Sequence, residues 1–405
     1  MQEKFFENKK ALIVLIAGCL VVLVAMGVRQ TWGLFYHFFQ VDLGISRTQF
    51  GLAIGLQMIL WGVTAPLFGM LADKYGSNRA VLIAFLIYIA GCFILMVQPA
   101  SNSIFLISIG LMIGAALGGT AVSVPVSAVG KYFSNKNRPM SVAIVTCSAS
   151  IGFFILPLFA KFSNDNFGWQ NTVLYYIYFL IFAAICSLFL FKKEYVDTTN
   201  NAFTRDQTVF NALKEAFQHK GYNLLVAGFF VCGFQITLVA THIPGYMQQK
   251  GLPDWTGSVI LALIGFFNIF GTLGIGFLAS RYSKKILLSI LYFIRAVILV
   301  IFLTLPPSIF TAIGFGVLFG IVWLATIPPT NGIVAQIFGT KYLATLFGMV
   351  FFSHQVGSFL GAYLGGYFFD IYGNYDMAWY VSILLSVFAG FVHLPIDEKP
   401  ILRTA

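Results

Sequence analysis

Twelve stretches of about 20 or more mostly apolar residues follow one another along this chain. They lie near 11–38, 48–72, 79–98, 103–131, 139–161, 169–191, 221–247, 256–279, 286–305, 309–335, 342–369 and 376–395. A run of that length crosses the hydrocarbon core of a bilayer as an α-helix, because a helix satisfies its own backbone polar groups where water is absent. An all-α membrane protein with twelve transmembrane helices is therefore expected. A composition that is 59% hydrophobic and 9% charged excludes a string of soluble domains.

In a soluble protein the formal charge of +10 would suggest a nucleic-acid partner. The positions of the 24 Lys and Arg residues explain it otherwise. With a cytoplasmic amino terminus, Arg47, Lys161 and Lys250 fall in outer loops, Arg29 and Arg295 fall inside helices, and all the others lie on the inner side. That asymmetry predicts two cytoplasmic termini and an even number of helices. No nucleic-acid partner is expected; membrane lipid is, in a bacterial inner membrane. Cys19, Cys92, Cys147, Cys186 and Cys232 all sit in predicted helices without a CxxC pair, so neither a disulfide framework nor a metal site is indicated. The start, MQEKFFENKK, is similar to a signal n-region, but the apolar stretch behind it is too long for a cleavable h-region and reads as the first membrane helix.

The residues GMLADKYGSNR, Gly69 to Arg79, return in weaker form as GFLASRYSKKI, Gly276 to Ile286. Both copies are short basic hinges between apolar runs, about half a chain apart, so the chain reads as two tandem halves. The one long polar interval separates them, giving a first six-helix half over 1–191, a cytoplasmic linker over 192–220 and a second six-helix half over 221–405. Within the linker, Val209, Phe210, Leu213 and Phe217 share one side of a short helix with Asp206 or Thr208 as N-cap. Glycines at four-residue spacing, Gly110, Gly114 and Gly118, then Gly357, Gly361 and Gly365, predict close helix approach on faces that can slide or rock. Pro125, Pro328 and Pro329 remove backbone donors and predict bendable segments lining a cavity.

The pattern G-x-x-x-D-K-x-G-x-x-R, filled by Gly69, Asp73, Lys74, Gly76 and Arg79, resembles the signature loop between helices two and three of the major facilitator superfamily. The second copy keeps Gly276, Arg281 and Lys285 but has Ser280 and Ser283 in place of the acid and the second glycine. The resemblance implies the major facilitator fold, two pseudo-symmetric halves around a central site, alternating access, and an inner gate formed by Asp73, Lys74, Arg79 and Arg138. The stretches GVRQTWGLF (Gly27 to Phe35), LGISRTQF (Leu43 to Phe50) and KYFSNKNRPMSVAI (from Lys131) are similar to bacterial monocarboxylate and oxalate/formate type carriers. Where such carriers usually place an arginine in helix eight, this chain has Thr272, with Asn268 one turn earlier.

Every Asp and Glu lies in a terminus, a loop or a helix end, so the ionisable groups within the membrane are Arg29, His242, Arg295 and His354. A deep site of positive or neutral potential favours an anion, whose carboxylate supplies the missing counter-charge. Arg29 in helix one is the first candidate, with Trp32 and Tyr36 following on its face. His242, between Gln235 and Tyr246 on helix seven, is a candidate for substrate contact and for proton coupling. Gln57, Trp61, Asn268, Trp323, Asn331 and His354 complete the expected lining, whereas Arg295 is expected to tie helices together. No phosphate loop or catalytic constellation is evident, so no enzymatic activity and no cofactor are expected. The chain is expected to act as a monomeric secondary transporter of a small monocarboxylate-like anion, with a proton as a candidate co-substrate. An uptake carrier for a flat, largely neutral nutrient such as an aromatic vitamin is the alternative, ahead of an efflux permease or a non-transporting receptor.

Overall fold

The computed structural model describes residues 9–97, 102–133, 138–191, 208–339 and 342–401, all helix or connecting turn, with no strand among them. Eleven helices are long and apolar enough to cross a membrane. In chain order they are helix 1 (Lys9–Leu43), 2 (Arg47–Tyr75), 3 (Ser77–Val97), 4 (Asn102–Gly130), 5 (Met140–Phe167), 6 (Trp169–Ser187), 7 (Lys220–Gln249), 8 (Trp255–Ala279), 9 (Lys284–Thr304), 11 (Leu343–Tyr372) and 12 (Asp376–His393). Helix 10 is the twelfth crossing, made in two pieces, Ile309–Ile321 and Ile327–Phe338. The expected single segment at 309–335 is thus broken over 322–326, just before Pro328 and Pro329.

A break at that depth leaves carbonyls without helical partners in a medium that offers none. Arg295 on helix 9, fully buried, supplies them. Its Nε and Nη2 donate to the Val322 carbonyl at 3.1 and 2.6 Å, and Nη2 also donates to the Trp323 carbonyl at 2.5 Å. A cation at a helix C-terminus also opposes the negative end of the helix dipole. The free N–H of Leu324 donates to Asn268 Oδ1 at 2.9 Å. Arg295 therefore ties helices together, as its place in helix nine implied, and Asn268 serves as its counterpart for the donor side.

Two further helices are irregular. Helix 1 tightens to a 3-10 turn over Trp32–Phe35, where Gly33 lies directly against the Ala240 and Thr241 carbonyls of helix 7 with no room for a side chain. Helix 4 carries a π-helical stretch, Leu106–Ile113, and a second interruption at 121–122 before the segment containing Pro125. Thr208 caps the short linker helix Val209–Gln218 by accepting from the Asn211 N–H at 3.3 Å, burying Ala212 and Ala216. Asp206 lies outside the described residues.

Buried apolar side chains form two clusters, one drawn almost wholly from residues 11–190 and the other from 216–396. Leu34, Leu324 and Phe351 pack against both. The predicted glycine ladders lie inside the halves: Gly110 and Gly114 face Ala53 and Gln57 of helix 2, while Gly357 and Gly361 face Phe230 and Phe234 of helix 7. The halves meet at other small residues. Gly33, Gly51 and Gly265 abut Ala240, Ala362 and Phe153, and Gly366 abuts Arg47. The seam between the halves is thus formed by helices 1, 2, 5, 7, 8 and 11, and on helix 2 it includes Gly51 and Gly55, four residues apart, against Ala362 and Phe359 of helix 11. Replacing Arg295 by Met should lower stability by about 2–4 kcal/mol, because two buried carbonyls lose their donors. Thermal unfolding in detergent should register this as a lower midpoint, with Arg295→Lys falling between Met and the native residue.

Candidate functional site

Helix 2 begins with a capping box. The Ser46 hydroxyl accepts from the Gln49 N–H at 3.2 Å, and Gln49 Oε1 accepts from the Ser46 N–H at 2.9 Å. This start places Arg47 in the first turn, at the end of the bundle opposite the Gly69–Arg79 hinge. Its guanidinium lies over the rings of Phe369, Tyr36 and Tyr375, at 3.9, 4.3 and 5.2 Å, and donates to the Tyr375 hydroxyl. Beside it, the Thr48 N–H donates to Asp370 Oδ2 at 2.8 Å. A carboxylate from helix 11 thus caps the N-terminus of helix 2, where the helix dipole favours negative charge. Together these contacts clamp the two halves at the far end.

His242 belongs to the same region. Its Nε2 donates to the Ala362 carbonyl at 2.7 Å, its ring lies 5.4 Å from that of Tyr375, and Gly365 leaves it room. Tyr36, packed on Phe50 at 5.3 Å as well as under Arg47, is also a clamp residue. The expected lining is thereby divided. Trp32 turns into the first half, against Phe35 and Tyr176, and Gln57 donates to the Ile109 carbonyl of helix 4 at 3.1 Å. Gln235 donates to Ser382 of helix 12 and accepts from Arg295 at 3.4 Å. Trp323 packs on Phe319 at the helix 10 break. Asn268 joins the halves: its Nδ2 donates to Ser150 Oγ of helix 5 at 2.8 Å. Asn331 is half-buried on the second piece of helix 10.

Arg29 and Trp61 are brought together. The Arg29 guanidinium, 8% exposed, donates to Gln30 Oε1 at 3.2 Å and approaches Met58 Sδ at 3.1 Å. It stands 5.9 Å from the Trp61 ring centre. None of these neighbours is anionic, so a buried cation at mid-depth lacks a counter-charge among the described residues. Trp61 meets Phe351 of helix 11 edge-on at 5.6 Å, and Phe351 lies parallel to His354 at 5.6 Å. The line from Arg29 to His354 therefore passes from the first half to the second. Phe351 and Gln355 carried no individual signal in the sequence, being one aromatic among 44 Phe and an amide beside a more conspicuous histidine. Arg47 did carry one: it is a rare cation on the sparsely charged side.

At the hinge, Lys131 Nζ lies 3.0 Å from Asp73 Oδ1, on the surface of the first half. Lys74 stands over Tyr75 at 5.1 Å and Arg79 is exposed. Helix 5 extends back to Arg138, whose side chain lies outside the described residues. An apolar groove of about 500 Å³ beside Phe266, Phe270, Gly274, Leu278 and Ile321 is lined by no polar side chain and shares no lining residue with the Arg29 site.

The family model of the Major Facilitator Superfamily matches residues 18–362. The chain belongs to this superfamily of membrane transporters. It is 26% identical over 379 residues to the uncharacterized MFS-type transporter YcxA of Bacillus subtilis, covering 89% of each chain. Mouse monocarboxylate transporter 12 is 22% identical over 416 residues, covering 94% of this chain and 85% of that protein. Among solved structures, a bacterial homologue of the human lysosomal transporter Spinster, in an inward-facing and unoccupied conformation, superposes with a TM-score of 0.74 at 16% identity. That match covers 96% of this chain and 97% of the other.

The clamp predicts a conformational effect. With spin labels at positions 41 and 254 in a cysteine-free background, Arg47→Ala should move a larger share of molecules to longer separations. The cation–ring contacts and hydrogen bond it removes correspond to a shift of about tenfold or more in the open-to-closed ratio at this end. An unchanged distance distribution would show that Arg47 does not hold the halves together at this end.

Proposed function

We propose that this transporter carries a small organic anion, bound through its carboxylate to Arg29 and moved by alternating access between the two halves. The observation that carries the reading is the buried Arg29 guanidinium with neutral neighbours. A buried charge without a partner is costly in a membrane protein, and a bidentate carboxylate offsets that cost. The similarity to mouse monocarboxylate transporter 12 over most of the chain supports the same class. Energy comes from a gradient, with a proton as the proposed co-substrate. The excess of Lys and Arg on the hinge side makes that side the proposed cytoplasmic face. There the exposed Asp73–Lys131 pair is proposed as part of the inner gate, and the clamp around Arg47 as the outer one.

Trp61 also suits the alternative of a flat neutral nutrient, since its ring lies beside Arg29. The two readings part at the guanidinium. In liposomes, Arg29→Gln should reduce uptake of an anionic substrate by about a hundredfold or more, the loss of a buried charge-assisted bidentate contact, with expression normal and the unfolding midpoint not lowered. Uptake that survives Arg29→Gln but fails in Trp61→Ala would favour the neutral ligand.

A further inference from the structure

Beyond Arg29, the site continues as a row of flat rings that ends in an unpartnered amide. Trp61 and Phe351 connect the guanidinium to His354 through successive contacts. Gln355, fully buried, lies with its Cβ and Cγ against Gly62, the residue after Trp61. Its Oε1 is 3.1 Å from His354 Nδ1. With the amide in this orientation Oε1 accepts, and His354 Nδ1 is the donor. Gln355 Nε2, with two N–H groups, then finds no partner among the described residues. At the other end the same situation recurs. Gln30 Oε1 accepts from Arg29, and Gln30 Nε2 is a second buried donor without a partner. Buried donors of this kind are normally satisfied, and two of them flanking an aromatic row point to a ligand with oxygen at both ends.

We propose that the substrate is an aromatic carboxylate with an oxygen on the ring opposite the carboxylate. This rests on the anion reading of Arg29. The carboxylate takes Arg29 and the Gln30 amide, the ring lies along Trp61 and Phe351, and the distal oxygen accepts from Gln355 Nε2. His354 is a positioning residue that holds the Gln355 amide with its donors free. The assignment favours rings over saturated bodies, because the Trp61 and Phe351 π-faces and edges attract another aromatic beyond the area it buries. Short aliphatic acids reach one end only.

The test is calorimetric binding to the purified full-length protein, using 4-hydroxybenzoate, benzoate, cyclohexanecarboxylate and lactate. Affinity should fall in that order, with 4-hydroxybenzoate about tenfold tighter than benzoate, the worth of one buried hydrogen bond. Gln355→Met keeps the side-chain length but has no donor. It should reduce 4-hydroxybenzoate to the benzoate level and leave benzoate itself unchanged, which also shows that the variant is folded. His354→Phe should collapse the same ratio, a selectivity change that general loosening would not produce. Equal binding of lactate and the aromatic acids, all lost in Arg29→Gln, overturns the aromatic assignment and leaves the anion reading intact. A 4-hydroxybenzoate preference that survives Gln355→Met overturns the role of the amide. No binding of any of the four acids, or binding indifferent to Arg29→Gln, overturns both readings.

Discussion

A transmembrane helix that breaks at mid-depth exposes backbone groups to a medium with no hydrogen bonds to offer, and this constraint organises the second half of the molecule. The break in helix 10 persists because Arg295 takes its free carbonyls and Asn268 its free N–H. Asn268 then passes the connection to Ser150 in the first half. One irregular segment is thus satisfied by two neighbouring helices, and through one of them it is joined to the other half. Leu324, in the break itself, packs against both hydrophobic clusters. The irregularity lies where the halves meet, which is where a transporter can tolerate backbone that is not helical, provided every polar group has a partner.

The cations divide by environment. Arg295 is held by carbonyls, Arg47 is enclosed by three rings, one of them the phenol it donates to, and Arg29 has, among the described residues, an amide, a thioether and the nearby Trp61 ring. The first is structural and the second joins the halves at one end. The third is the proposed substrate contact. Polar side chains follow the same rule: Gln235 and Asn268 have partners at both ends, whereas Gln30 and Gln355 retain unpartnered N–H groups.

Much of this was legible in the residues. The crossings follow from local apolar length, and their spans agree with the helices to within a few residues at most ends. The hinge at Gly69–Arg79 carries the family through short-range spacing. Arg29 and Trp61 were legible as candidates, since a cation and a tryptophan inside apolar runs are conspicuous. Their adjacency was not, because they belong to different helices. His242 had the same type of signal as Arg29, yet it bonds to the Ala362 carbonyl beside the far-end clamp. Helical periodicity states which face of its own helix a residue occupies; it does not state which helix that face meets. The glycine ladders illustrate the same limit: four-residue spacing announced close packing, and the packing proved to be within the halves.

Sequence alone determined the class, the number of crossings, the charge asymmetry and the family, because these depend on composition and on spacing within a few tens of residues. Tertiary structure decided which buried polar groups are satisfied and which are left with capacity to spare. Arg47 meets Tyr375, and Asn268 meets Ser150, across separations of more than a hundred residues. In a membrane, where a buried polar group must find its partner inside the protein or in a ligand, those long-range pairings separate scaffold from site.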